Sequence, residues 1–190
     1  VLGTCPVEVI YDDFEPVVLA VSQETGIPMI ALRTHGLSLT TQIACQDWLY
    51  ATLAGFESPD AGIERKGVNL VGLPAGVAVE PTRILGELGI PVNGVYPNQK
   101  EFAHWRRIGL AERSFMVDRT TLPRLGAVLE QHGQRVDEVP LPIGLYHTER
   151  FYGVIASRMG IDDARLAACL EPHIAEHVAA QRAVRERVRG

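Results

Sequence analysis

Only three of the 190 residues are cysteine, and they stand far apart at Cys5, Cys45 and Cys169. That spacing builds neither a disulfide framework nor a CxxC pair, and it fits a reducing, cytoplasmic setting. No apolar run approaches the ~20 residues of a membrane span. Neither GxGxxG nor a Walker sequence occurs, so the segment carries no signature for a dinucleotide or for ATP. An excess of basic charge is missing too. The net charge is −5 with both signs interspersed, which leaves no nucleic-acid footprint. The one basic series, Arg182, Arg185, Arg187 and Arg189, is broken by Glu186 and spaced along a helix, the pattern of a solvated face. There is no internal repeat and no low-complexity tract.

What remains is regular. A chain of 190 residues can bury one core, or one core plus a helical appendage. Asp13 and Pro16 open a helix that Gly26 closes, and Ile27 to Arg33 reads as a short buried strand. A helix follows from about Thr40 to Leu53. After a polar, Gly- and Pro-bearing loop, strands at 68–73, 90–96, 114–117 and 134–139 alternate with helices at 81–88, 99–108 and 119–131. The last two helices of this series take Asn98 and Asp118 as caps. A further helix spans 148–159, and Asp162 caps a long one running to about Val188. This alternation predicts an α/β fold: a doubly wound, mostly parallel, Rossmann-like sheet with helices on both faces and a long C-terminal helix. Residues 1–145 form the α/β domain and 146–190 a helical extension. Val1-Leu2-Gly3-Thr4 reads as the tail of a strand, and the final helix pattern has nothing further to pack on. A segment of a longer polypeptide, with a following domain, is the expectation.

In such a sheet ligands sit beyond the carboxyl ends of the strands. Cys5, followed by Pro6 at a helical first turn, fits two roles. A thiolate there is stabilised by unpaired amides and becomes a good metal ligand, while local physics alone favours a buried structural cysteine. Asp12 and Asp13 read as a capping pair or as acid–base groups. His35 sits on a strand-end loop, where proton donors, ligands and merely solvated histidines all occur. Pro74-Ala75-Gly76 either cradles an anion on a helix start or simply connects two elements. His173 and His177, spaced i, i+4, form a metal pair or a solvated helix face.

Taken in order, Thr4-Cys5-Pro6 through Asp12-Asp13, Gly26-Ile27-Pro28, Arg33-Thr34-His35-Gly36-Leu37 through Gln42, and Pro142-Ile143-Gly144 with Thr148 and Phe151 resemble the nitrogenase component 1 superfamily. That superfamily comprises dinitrogenase subunits, their cofactor-assembly scaffolds and the nitrogenase-like reductases of tetrapyrrole biosynthesis. The resemblance implies that Cys5 is a metal ligand to an iron–sulfur cluster at the interface with a homologous subunit. The other ligands would come from upstream residues and from that partner. It also places Gly36, Gln42 and Gln46 at a substrate or cofactor pocket.

The departures from the family pattern are informative. Catalytic dinitrogenase subunits carry a proton-delivering histidine where Gln46 stands, and a cofactor-ligating cysteine where Asp118 stands. A carboxylate replaces thiolate poorly in iron–sulfur chemistry. The resemblance therefore implies a nitrogenase-like reductase subunit rather than a catalytic dinitrogenase. An ATP-hydrolysing iron–sulfur partner would supply low-potential electrons, the cluster would relay them, and a tetrapyrrole is a candidate substrate. His35 and Asp118 are the candidate proton sources. A cofactor-assembly scaffold is the alternative within the superfamily, and a metal-chelate binding protein lobe the alternative outside it.

Overall fold

The computed structural model describes residues 2–3, 13–27, 29–33, 41–56, 64–99 and 101–189. Among them lie strands β1 (Leu2–Gly3), β2 (Leu32–Arg33), β3 (Val68–Val71), β4 (Val92–Tyr96), β5 (Arg113–Val117) and β6 (Arg135–Val139). The helices are α1 (Glu15–Thr25), α2 (Gln42–Gly55), α3 (Ala75–Glu87), α4 (Phe102–Trp105), α5 (Pro123–Gln131), α6 (Gly144–Arg158) and α7 (Asp163–Arg189). β1 and β2 pair in parallel, Leu2 opposite Leu32. The main sheet runs β4–β3–β5–β6, with every pairing parallel. This is the parallel α/β architecture that the alternation of strands and helices predicts.

Alternation along the central strands divides the core in two. Val68, Leu70 and Phe115 face α3 and α6, where Leu85, Phe151 and Ile155 are fully buried. Val71 and Met116 face the other way, toward Trp105 of α4 and Leu125 and Leu129 of α5. Each fully buried side chain of this size contributes roughly 1.5–3 kcal/mol of hydrophobic stabilisation. The first core extends through Leu170 of α7, so the start of the long helix packs with the sheet. The edge strand β6 carries Arg135, Asp137 and Glu138, charges that discourage edge-to-edge pairing.

Beneath the second face a polar chain links β4, β3 and β5 to Gln134, the residue before β6. Asn69 Nδ2 donates to the Ile108 carbonyl at 2.8 Å and contacts Ser114 Oγ at 3.0 Å. Asn93 Nδ2 donates to Asn69 Oδ1 at 2.8 Å. Ser114 Oγ donates to Gln134 Oε1 at 2.5 Å, and Gln134 Nε2 donates to the same Ile108 carbonyl at 2.5 Å. Such groups are tolerated in a core only when mutually satisfied.

Some element boundaries match the sequence expectation and others differ from it for a local reason. α1 ends at Gly26 in the left-handed conformation, φ 66°, as expected for a glycine C-cap. α3 starts earlier, at Ala75, and carries Pro81 inside it. α4 is shorter than expected because its two expected starting side chains are spent elsewhere. Asn98 donates to the Leu73 carbonyl at 2.7 Å and Gln99 to the Val95 carbonyl at 2.9 Å. α6 starts at Gly144, where φ is 74°, rather than near Thr148. Asp162 does cap α7, accepting from the Arg165 amide at 2.8 Å.

His132, at the end of α5, is 7% exposed, and its Nδ1 has no hydrogen-bond partner among the described residues. Burial, with a smaller effect from the Arg65 charge, holds its pKa below the ordinary imidazole value. The unfolded chain therefore takes up this proton first as pH falls through about 6.5. The stability contributed by the neutral ring is present above that pH and is lost on acidification. The urea midpoint is expected to drop between about pH 7.5 and pH 5.5, and His132→Phe is expected to reduce that drop.

Candidate functional site

The carboxyl end of the main sheet is formed by the segments that follow each strand. Gly72 leaves β3 with φ 85°, and a methyl group there would come 2.9 Å from the Val117 carbonyl oxygen. Only glycine fits that approach of β3 to β5. The Gly72 amide donates to the Tyr96 carbonyl at 2.8 Å, and the Tyr96–Pro97 peptide is cis.

Asp118 follows β5 directly and is the one described non-glycine residue with positive φ, 52°. Short polar side chains tolerate that region because they bond their own turn. Asp118 does so: its Oδ1 accepts from the Thr120 amide at 3.1 Å and also from the Thr120 hydroxyl. Its carbonyl accepts from Thr121 Oγ1 at 2.9 Å. The residue is exposed. It does not cap the next helix, as its position in the sequence suggests. The turn it organises delays α5 to Pro123, and the N-cap position falls to Leu122, which offers no side-chain acceptor.

The cap comes from another helix. Asp47 of α2 is 3% exposed, and its carboxylate accepts from two α5 amides: Arg124 at 3.1 Å and Leu125 at 3.0 Å. A carboxylate at a helix start is favoured by the free amides and by the helix dipole. Farther along both helices, a methyl group on Gly55 would lie 3.8 Å from Val128 Cγ1. α2 and α5 therefore run in the same sense, with both N-termini at the carboxyl end of the sheet. This brings Gln42 and Gln46, in the first turns of α2, to the side of the molecule where Asp118 stands. Gln42 is exposed and Gln46 half-buried. Thr41 caps α2, accepting from the Ala44 amide at 3.1 Å.

Cys5, His35 and Gly36 lie outside the described residues, as does Asp12. Of the remaining candidates, the structure brings Gln42, Gln46 and Asp118 to one end of the fold. It places His173 elsewhere, on α7 against α3, where its Nε2 is 2.9 Å from Glu87 Oε2 and its Nδ1 is 3.2 Å from Arg83. The His173 contact lowers the Glu87 pKa. His177 lies 2.8 Å from the Gln181 amide, and the contacts given for the two histidines have no partner in common. Cys169 is near Glu87, and its thiol pKa is raised, first by burial and then by that carboxylate. A raised pKa disfavours the thiolate that binds metals.

Among the described residues no group of three or more His, Cys, Asp or Glu side chains could hold a metal ion. Cys45 and Cys169 sit on separate helices, α2 and α7. The described residues alone do not fit an iron–sulfur cluster, which is held by several converging thiolates.

Sequence reasoning missed Asp47. Its signal was present: Asp47, Ala51 and Ala54 are the buried positions of α2, so a charge stands on a helix's buried stripe.

The sequence profile described as nitrogenase component 1 type oxidoreductase matches residues 1–190. A light-independent protochlorophyllide reductase subunit from Dinoroseobacter shibae is 26% identical over 169 residues, 85% of this chain and 31% of the relative. The corresponding subunit from Acidiphilium rubrum is 28% identical over 83% of this chain and 33% of its own length. The chain thus spans about a third of these relatives. A solved structure titled nitrogenase Cp1 at pH 5 has a TM-score of 0.74 at 23% identity, covering 96% of this chain and 37% of that one.

Replacing Asp47 by Ala strands one buried and one part-buried amide and is expected to cost about 1–3 kcal/mol. Asp47→Asn, which keeps one acceptor oxygen, should lose less. Urea denaturation of both variants checks the ordering, and equal losses would contradict the two-amide cap.

Proposed function

The chain belongs to the nitrogenase component 1 type oxidoreductases, and on that premise we propose that it is a domain of a nitrogenase-like reductase subunit acting on a tetrapyrrole. The observation that carries this reading is the profile match over the whole chain, joined to relatives named as protochlorophyllide reductase subunits. The partners proposed with it are a homologous component 1 subunit and an ATP-hydrolysing iron–sulfur protein. Cys5 is proposed as one ligand of an iron–sulfur cluster completed by residues beyond those described. Such a cluster supplies low-potential electrons, while the protein binds the substrate and governs proton access.

The residues at the carboxyl end of the sheet suit the second task. Gln42 presents an exposed amide able both to donate and to accept, and Gln46 stands one turn behind it. Asp118 holds a carboxylate on the surface in a fixed turn, where it can pass a proton to a bound acceptor. His35 is the second proposed proton source. The Asp47 cap sets the spacing between α2, which carries the two glutamines, and the turn that carries Asp118.

Two experiments on the intact enzyme test this reading. Iron and acid-labile sulfide, measured in anaerobically purified protein with its partner subunit, should be present in wild type and largely lost in Cys5→Ala. Folded wild type without iron would overturn the cluster assignment. If Asp118 supplies a proton, Asp118→Asn should lower tetrapyrrole turnover by about a hundredfold, with iron content unchanged. His35→Gln makes the parallel test, and unchanged turnover in either variant eliminates that residue.

A further inference from the structure

A cavity of about 330 Å³ opens between α3, α6 and α7, a size at the small end of the range for small-molecule sites. Gln42, Gln46 and Asp118 are not among its lining residues, and its walls are largely apolar: Val77, Pro81, Ile84, Leu145, Leu170 and Ile174.

Three features give it a donor-rich polar end. Tyr152 lines the cavity, is 1% exposed, and its hydroxyl has no hydrogen-bond partner among the described residues. The hydroxyl is not sealed off from solvent, so water or a ligand in the cavity can bond it. The phenol pKa is driven up, first by burial, so the group stays a donor. Next, α3 begins after Pro74 and α6 after Ile143, and neither residue supplies a side-chain cap. Gly76 and Gly144, in those two first turns, both line the cavity, so uncapped amides of two helices stand at its edge. Thr148 adds a hydroxyl to the lining. Of the acidic side chains around the cavity, Glu80 is bound to Arg83 at 2.5 Å, and Glu149 is exposed at the rim.

Thr148, Tyr152 and the open amides can all donate, while His173, also in the lining, is held between Glu87 and Arg83. The acceptor Glu149 stays at the rim beside His177, so the inner end of this apolar chamber suits an apolar ligand that ends in an acceptor. We propose that this cavity binds a compact, mainly apolar molecule carrying a carbonyl or carboxylate head. The head accepts from the Tyr152 hydroxyl and from amides at the starts of α3 and α6, and the apolar body lies along Ile84, Leu170 and Ile174. This site is independent of the reductase reading: its ligand need be neither substrate nor cofactor.

Calorimetric titration of the intact polypeptide with octanoate, octan-2-one and octylamine tests the proposal. The three probes share an aliphatic body and differ in the head. Octanoate or octan-2-one should bind, and octylamine should bind more weakly than the better of them. Tyr152→Phe, which removes only an unpartnered hydroxyl, should keep the fold and weaken binding about five- to tenfold. Gly76→Leu should also weaken it, since a methyl group at that position meets nothing within 4 Å and the longer side chain can enter the cavity. Preference for the amine would mean that Glu80 and Glu149 govern the site, and would overturn the proposal. So would absence of binding by folded wild type, as when another part of the polypeptide fills the cavity. Undiminished binding in either variant would overturn it as well, by placing the probe elsewhere.

Discussion

One buried carboxylate holds the candidate site together. Asp47 sits in the middle of α2, yet its two oxygens terminate α5, more than seventy residues away in the chain. A buried charge is tolerated only when it is bonded, and the first amides of a helix are left open unless something outside the helix closes them. Each need satisfies the other. The result fixes the separation of two helices and so fixes where the side chains at their N-terminal ends stand. Gln42, Gln46 and the Asp118 turn share one end of the fold because of this contact.

The sheet supplies the rigid base for that arrangement. Its two faces bury separate clusters of apolar side chains. The polar chain from Asn93 through Asn69 and Ser114 to Gln134 runs from edge strand β4 to the residue that precedes β6. Hydrogen bonds are directional where apolar contacts are not, so this chain specifies which strands lie side by side. The Gly72 approach to β5 and the Asp118 turn then shape the carboxyl end of the sheet. Both depend on backbone conformations that few residue types adopt.

Membership of the component 1 type oxidoreductases gives this geometry its chemical context, while the described residues account for only part of that chemistry. They present hydrogen-bonding and acidic groups at the end of the sheet where ligands bind in such folds. They do not by themselves assemble a set of metal-binding thiolates. The chain spans about a third of these relatives.

The alternation of apolar strands and helices was legible in the sequence, because the periods of two and 3.6 residues are local properties of the backbone. So were the Gly26 stop, a start for α2 near Thr40 and the Asp162 cap of α7, each decided within a few residues. The family resemblance was likewise carried by short motifs in order. Asp118 shows where local reasoning ends. As a short acidic residue before a helix it reads as a cap, but the structure spends it on its own turn and takes the cap from Asp47. Asn98 is similarly diverted to the Leu73 carbonyl, which leaves α4 short. The convergence of α3, α6 and α7 around Tyr152 had no signature in the sequence at all. A hydrogen bond between residues distant in the chain depends on how helices and strands pack. The sequence by itself determined which segments become helix or strand, and only the tertiary structure decided which polar groups meet.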